Sequence, residues 1–575
     1  KLLDKFEPDR GTGEAKREKS VYLITDCQAY GWHENDKLDS KRLISIMDKL
    51  QYSNTELVII DVGENDTSNF AVTSLKSASP LVGTGVPVRF DAVLTNMSTR
   101  DLGEIVVTFF VDEQEQQSIT AAVPPGEPKT VSFMHEFRDK GYHSVQIASK
   151  TDPLGIDNNR YLSLKVREKV KVLIIDGQPS PESWQSETAF LETALKVGAG
   201  SLTDEKLSVI DPKSIMQGEL EQMVRDASRG RLEDYDVIFL CNVSDFSHDT
   251  AKELEKYIEM GGSLVIFLGE MVVPERYNEI IYNNGEGLFP VKLIEWTGDK
   301  DKMTSYPIDI VEFSHPAVKF FEPESHRSLL ATPRTFVYYK VELPQGKKDI
   351  SVLAIYKDAD RSPAVIEKRF GRGHVILITT TSSIEWNTWA VRPFFLCFLN
   401  EIVSYLTPGA EAKLNILVGE PFHKIVPSKE FSQEVHLVLP GGESIKKALS
   451  PLGEGNGKEQ EFLFLHNETN KSGIYKIVFT QDIASGSISE RTETFTVNVD
   501  ICESDMEKIV QSELNTAFPK IKPEIKLSKE VLKELSGDKE NGKGGGEIWW
   551  YLITAVFCLM LLETVLAQYF GKYEK

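Results

Sequence analysis

The sequence predicts a multidomain chain that alternates α/β and all-β pieces and closes on a membrane-spanning helix. Three observations carry that expectation. Near-continuous apolar strands separated by amphipathic helices occur in two places, the pattern of parallel sheets covered by helices. Between and after them lie short strands of alternating polarity punctuated by Gly and Pro, the pattern of antiparallel sandwiches. Finally, Ile548 to Phe570 is an almost uncharged run. At 575 residues the chain is long enough for three to five domains.

Residues 1–64 read as half of an α/β domain. Arg17 to Asp26 (REKSVYLITD) leads into an apolar strand that ends on an aspartate. A helix is expected over Lys41 to Leu50, with Leu43, Ile46, Met47 and Leu50 on one face. Glu56 to Val62 (ELVIIDV) is a second strand. Two strands are too few for a sheet, so the start of this domain is expected upstream of Lys1.

Residues 67–168 change character. Val86 to Val93, Glu104 to Val111, Lys129 to Phe133 and His143 to Ala148 alternate in polarity between turn clusters, which predicts a β-sandwich of immunoglobulin size. Residues 170–408 then read as a doubly wound α/β domain. Its strands are expected at Val170 to Asp176, Leu207 to Asp211, Asp236 to Cys241 and Ser263 to Leu268. Helices are expected near Ser186 to Val197, at Ile215 to Ala227, and after Ser247, a helix cap. A late strand in GRGHVILITTT and a closing helix over Val391 to Leu406 complete it. Residues 411–500 predict a second sandwich, with strands at Glu434 to Leu439, Gln460 to Leu465, Gly473 to Phe479 and Thr492 to Val499. GEGNGK (Gly453 to Lys458) lacks the spacing of a phosphate loop and reads as a plain turn.

Residues 501–546 read as a polar helical segment, opened by a capping box at Ser504 and Glu507, and then a Gly-rich linker. The span follows over 547–570. A helix of about 20 apolar residues rises roughly 30 Å, enough to cross a bilayer core. Trp549, Trp550 and Tyr551 at one end and Tyr569 and Tyr573 at the other have the placement of interfacial belts. Lys572 and Lys575 after the span predict a short cytoplasmic tail and an extracytoplasmic bulk.

Composition narrows the function. With 87 acidic against 65 basic residues, net charge −22, the chain is wrong for nucleic acid, whose phosphates demand Lys and Arg. Five scattered cysteines, none in a CxxC pair, predict neither a disulfide framework nor a zinc site.

Four stretches carry a resemblance. LITDCQAYGW with the following VIIDVG strand resembles the back half of a von Willebrand factor A domain, closest to membrane-anchored bacterial proteins of the aerotolerance (Bat-type) group. In that family a DxSxS loop, a distant Thr and a strand-end Asp hold a divalent metal. Asp26, with Thr25 beside it, matches the last element, and the DxSxS loop is absent from this sequence. The resemblance therefore implies Mg²⁺ only for a longer chain with a complete domain, and no cofactor for this one. NFAV, Thr95–Asn96 and DNNRY (Asp157 to Tyr161) resemble the cell-adhesion-related (CARDB-like) sandwich of bacterial surface proteins. Residues 170–408 resemble the class I glutamine amidotransferase-like fold, whose enzymes carry a cysteine on the turn after the strand that follows the Gly-Gly helix end. Here that turn reads LGEM, with Glu270 where the nucleophile belongs. The join NVD…ESD before the C-terminal span is also similar to the Bat-type group.

Cys241 and His248 remain as a candidate Cys/His pair at the strand edge, where Asp176, Glu270, Glu385 and Trp386 are also expected to form a ligand pocket. His315 and His374 have no nucleophile placed beside them by the motif. The leading expectation is a non-enzymatic component of the bacterial cytoplasmic membrane, with a large periplasmic part that binds other membrane or periplasmic proteins. The alternatives are a hydrolase or amidotransferase-like enzyme acting at that strand edge, and metal-dependent adhesion through a complete A domain.

Overall fold

The computed structural model describes residues 19–32, 55–63, 69–150, 154–182, 186–197, 208–407, 413–427, 434–452, 461–482, 488–518 and 523–531. The helix expected at Lys41 to Leu50, the GEGNGK turn, the Gly-rich linker and the span at 547–570 lie outside them. Among the described residues no helix is long and apolar enough to cross a membrane. The chain divides into two compact units.

The smaller unit is built on a parallel sheet of Lys19–Thr25, Thr55–Asp61 and Glu524–Leu527. The third strand corrects the helical reading of the segment after Glu503. That segment holds a 3-10 turn (Ile501–Ser504), a short helix (Gln511–Ala517) and then this strand. The capping box does not form: the helix starts beyond it with Val510 at its N-cap, and the Glu507 N–H goes to Asp505 Oδ1 at 3.0 Å. Glu524-Ile-Lys-Leu is too short and too charged to read as a strand alone; the open edge of Thr55–Asp61 supplies its hydrogen bonds. Cys27, Trp32, Leu57, Ile59, Ile509, Leu514 and Phe518 form the core beneath.

The larger unit, Ala71–Thr95 and Leu102–Asp500, contains the α/β domain, the second sandwich and nearly all of the first. In the first sandwich a five-stranded sheet faces Phe70–Ser77, Pro87–Asn96 and Lys129–Glu136. Phe90, Phe109 and Phe133 fill the space between, the last two stacked at 5.0 Å. One strand of the five, Gln114–Ala122, carries no apolar alternation that would announce it. The second sandwich sets five strands, from Asn415–Leu417 to Ile488–Asn498, against Phe422–Pro427, Ser450–Leu452 and Glu461–His466. The stacked pair Phe422 and Phe495, 3.9 Å apart, lies at its centre. The two sandwiches join through polar contacts: Tyr161 N–H donates to Asn498 Oδ1 at 2.8 Å and Ser163 N–H to Asn415 Oδ1 at 2.7 Å.

The α/β domain contains β1 (Val170–Asp176), α1 (Ala189–Val197), β2 (Ile210–Met216), α2 (Gln217–Arg225), β3 (Val237–Cys241), α3 (His248–Glu259), β4 (Ser263–Phe267), β5 (Ile308–Ile310), β6 (Ile350–Tyr356), β7 (Pro363–Phe370), β8 (Gly373–Ile378) and α4 (Pro393–Leu406). The sheet order is β2-β1-β3-β4-β8-β7-β6-β5, parallel from β2 to β8 and antiparallel beyond. The doubly wound core expected from the sequence is thus extended by an antiparallel flank. β2 runs on to Met216, past the expected end at Asp211, and its pairing includes Pro212, which an edge strand tolerates. Along β1, Val172 and Ile174 pack on the face covered by α1 and α4, and Leu173 and Ile175 on the face covered by α2 and α3. Both faces are buried, which is why β1, β3 and β4 are solid apolar runs. Ser247 Oγ accepts from Thr250 N–H at 3.2 Å and caps α3 as expected.

His466 ends its strand in the second sandwich, 1% exposed and 5.8 Å from the Tyr475 ring. Burial, then the Lys447 charge, holds its pKa below the ordinary histidine value. The unfolded chain therefore binds the proton more readily, and stability falls as pH drops through the ordinary histidine range. Unfolding midpoints measured across that range should fall more steeply in the native chain than in His466→Phe; equal slopes would contradict this.

Candidate functional site

The chain leaves β1 for β2 on one side and returns to β3 on the other, so the sheet's topological switch point lies between β1 and β3. Their last residues, Asp176 and Cys241, are register partners. The two chains emerge backbone against backbone: a Cβ on Gly177 would stand 2.0 Å from the Asn242 carbonyl oxygen. Asn242 follows β3 in a left-handed conformation (φ 53°) and is fully buried. Its Nδ2 donates to Gln178 Oε1 at 2.7 Å and to Glu187 Oε1 at 3.2 Å, while its Oδ1 accepts from Met271 N–H at 2.9 Å. Gly269 leaves room for that amide, since a Cβ there would meet Asn242 Cγ at 2.3 Å. One side chain thus ties together the turns after β1, β3 and β4.

Glu187, just before α1, is the unexpected member of the site. Its carboxylate is buried, and Oε2 accepts from Ser382 Oγ at 2.9 Å and Ser383 N–H at 3.1 Å. Desolvation outweighs these donors, Glu385 adds repulsion, and the pKa is pushed up to about 7. Asp176 accepts from Gln178 N–H at 3.0 Å, Thr188 Oγ1 at 3.2 Å and Ser186 Oγ at 3.3 Å. It also lines a cleft of 370 Å³ with Gly177 and Pro179 on one wall and Met216, Gln217 and Glu219 at the start of α2 on the other.

The structure brings Asp176 and Cys241 to this point and separates the rest. Cys241 lies below the cleft, fully buried; burial raises its pKa well above that of a free thiol, and the groups acting on it are Ser382, Glu187 and Asp176. His248 is exposed in the first turn of α3 and is not among them. Glu270 is exposed and ion-paired to Lys300 at 2.8 Å, and Lys300 sits 4.7 Å over the Trp296 ring. Trp386 is buried against Trp296 and Tyr339, at 6.1 and 5.8 Å. Glu385, half-buried, has its pKa raised by desolvation and by Glu270. His315 and His374 flank Glu367 at 2.9 and 2.8 Å, and Tyr405 of α4 donates to the same carboxylate at 2.6 Å. This network pins the closing helix. Sequence reasoning missed Glu187 and Asn242; the Ser-Glu-Thr before α1 and the Asn after a strand-end Cys were the available signals.

In the smaller unit Asp26 stands at the strand end as expected, exposed, and accepts from Thr25 Oγ1 and Gln28 N–H, both at 3.3 Å. It lines a 430 Å³ pocket with Ile24, Trp32 and Glu503. Asp61 ends the neighbouring strand, and Lys508 Nζ binds both of its oxygens, at 3.0 and 2.8 Å. An ammonium thus sits on the carboxylate that ends the neighbouring strand. The described residues do not fit Mg²⁺, which needs several oxygen ligands, and they contain no group of three His, Cys, Asp or Glu able to hold a metal.

Two measurements test these arrangements. A carboxyl whose folded pKa is raised is most stabilising below its unfolded pKa and becomes a liability as pH rises through the folded one. The gap from 4.5 to about 7 at Glu187 corresponds to roughly 3 kcal/mol at most. Denaturant unfolding should therefore show Glu187→Gln gaining on the native chain between pH 5 and 8, by up to about that amount. Lys508→Met, which strands the buried Asp61, should lower the unfolding free energy by about 3 kcal/mol. Added Mg²⁺ should not restore it.

No family model matches the chain, and no curated protein matches it significantly. Partial similarity to solved structures exists. A cytoplasmic protein from Salmonella typhimurium shares 14% identity over 41% of this chain and 99% of its own, with a TM-score of 0.29. A ThuA-like protein from Bacteroides uniformis shares 15% over 41% of this chain and 91% of its own, at 0.27. A CARDB domain from Pyrococcus furiosus, crystallised with di-metal ions, shares 13% over 18% of this chain and 99% of its own, at 0.17. Scores of this size carry no argument about function.

Proposed function

We propose that the chain is a binding and assembly component without chemistry of its own, and that the crevice over β1 and β3 is its ligand site. The observation that carries this is the state of the two nucleophile positions. Glu270 occupies the turn after β4 as an exposed, ion-paired carboxylate, and Cys241 is a sealed thiol held in its neutral form. Thiol catalysis needs a thiolate with a base in reach. The cleft beside Asp176, walled by Pro179, Met216, Gln217 and Glu219, suits recognition instead. In this reading Ile548 to Phe570 is the anchor, the folded units are extracytoplasmic, and the partners are other membrane or periplasmic proteins. The kinship to Bat-type proteins belongs to the same proposal.

One observation favours a second reading, hydrolysis at the same strand edge: the Glu187 carboxyl, near 7, lies in the range of a general acid or base. Thiol labelling read by mass spectrometry separates the two. In the native full chain the exposed Cys502 should label while Cys241 stays protected until unfolding. Rapid native labelling of Cys241 would overturn the non-enzymatic reading. So would any turnover whose pH profile breaks near 7 and is lost in Glu187→Gln.

A further inference from the structure

At the end of the small parallel sheet, two carboxylates lack a cation and one indole N–H lacks an acceptor. The strand Lys19–Thr25 runs out into Asp26, and a 3-10 turn (Ala29–Gly31) then carries the chain to Trp32. This loop is tied to a distant segment. Ala29 N–H donates to the Glu507 carbonyl at 2.7 Å, and Ile509 N–H to the Cys27 carbonyl at 2.9 Å. Gln28 Nε2 donates to the carbonyls of Glu503 and Asp505, at 2.9 and 2.6 Å. Asp26 and Glu503 thereby come to line one pocket of 430 Å³ with Leu23, Ile24 and Trp32.

Neither carboxylate is neutralised. Among the described residues Asp26 accepts only from Thr25 Oγ1 and Gln28 N–H, both on Oδ1, and the Glu503 carboxylate has no partner. Lys508, which enters the same sheet edge, is held by both Asp61 oxygens and the Gly63 carbonyl. Trp32 is the third group. It is 7% exposed and packs in the core of this unit, yet its Nε1–H donates to no described residue. A buried indole N–H normally finds an acceptor, and the indole can only donate. The pocket that Trp32 lines is the place for one. The ligand must therefore bring positive charge for Asp26 and Glu503 together with an acceptor for Trp32. A bare metal ion lacks the acceptor, and an anion has the wrong sign. A polypeptide with a basic side chain has both, because a backbone carbonyl stands beside every such side chain. The approach is also open. Lys19–Thr25 is an edge strand among the described residues, and its Tyr22 and Ile24 are 55% and 66% exposed.

We propose that this pocket docks a basic segment of a partner protein, with one lysine or arginine side chain meeting Asp26 and Glu503 and a neighbouring carbonyl accepting from Trp32 Nε1. Apolar residues flanking that basic side chain lie along Leu23 and Ile24. The site is independent of the crevice over β1 and β3.

The test titrates the full chain, isotopically labelled at its indole nitrogens, with acetyl-valyl-lysyl-valyl-amide. The readout is the Trp32 indole N–H resonance, assigned by its loss in Trp32→Phe. It should move downfield and saturate. Two control ligands need no variant: the norleucyl analogue keeps the carbonyl without the charge, and n-butylamine keeps the charge without the carbonyl. Both should leave the resonance where it is. Affinity for the lysyl peptide should fall about fivefold in Asp26→Asn and in Glu503→Gln, the upper end for an exposed charge pair. A resonance unmoved by the lysyl peptide, an equal response to either control, or unchanged affinity in either carboxyl variant would overturn the site.

Discussion

The Asn242 side chain is the tie on which the edge of the central sheet depends. Parallel strands end together at one edge, and beyond their first residues the turns that leave them must find hydrogen bonds outside the sheet ladder. Here a single buried amide accepts from the turn after β4 and donates to residues beyond β1. It can do so only from a left-handed backbone, and only because Gly177 and Gly269 clear the space. Strain at one residue is exchanged for three ordered turns. The cleft beside Asp176 inherits its shape from that arrangement.

The same tie explains why an ionisable group is tolerated so deep. Glu187 receives Asn242 on one oxygen and Ser382 and Ser383 on the other. These donors suit a carboxylate, whereas desolvation favours the neutral acid, and the outcome is a group balanced between the two forms. At Cys241 burial, with the neighbouring acids Glu187 and Asp176, outweighs the Ser382 hydrogen bond, so its thiol stays in one form. Two titratable side chains on adjacent elements thus have opposite characters, set by hydrogen-bond supply.

Much of the architecture was legible because burial on both faces writes long apolar runs, as in VKVLIID, DVIFLC and SLVIFL. The Ser247 cap was legible because it is local chemistry. What was hidden depended on partners distant in sequence. Gln114–Ala122 is an exposed edge strand whose only instruction is pairing with Glu104–Val111. Asp176 and Cys241 could be placed at the strand edge, but Glu187 reads as an ordinary acidic residue near a helix start until Ser382 arrives from beyond β8. His248 failed to join Cys241 because proximity along the chain says nothing of which way the first turn of α3 faces.

The strand Glu524–Leu527 gives the smaller unit an unusual order of assembly. Its sheet is closed by a segment translated only after both sandwiches and the whole α/β domain. Among the described residues no other strand pairs with that edge of Thr55–Asp61, and the lysine that holds Asp61 lies nearly as far along the chain. The larger unit is therefore a folded insertion between strands of one sheet. A compact insertion is a shorter effective loop than an unfolded one, which lowers the entropic cost of a contact of very high sequence separation. Cutting the chain anywhere in that insertion turns an intramolecular closure into an association between fragments.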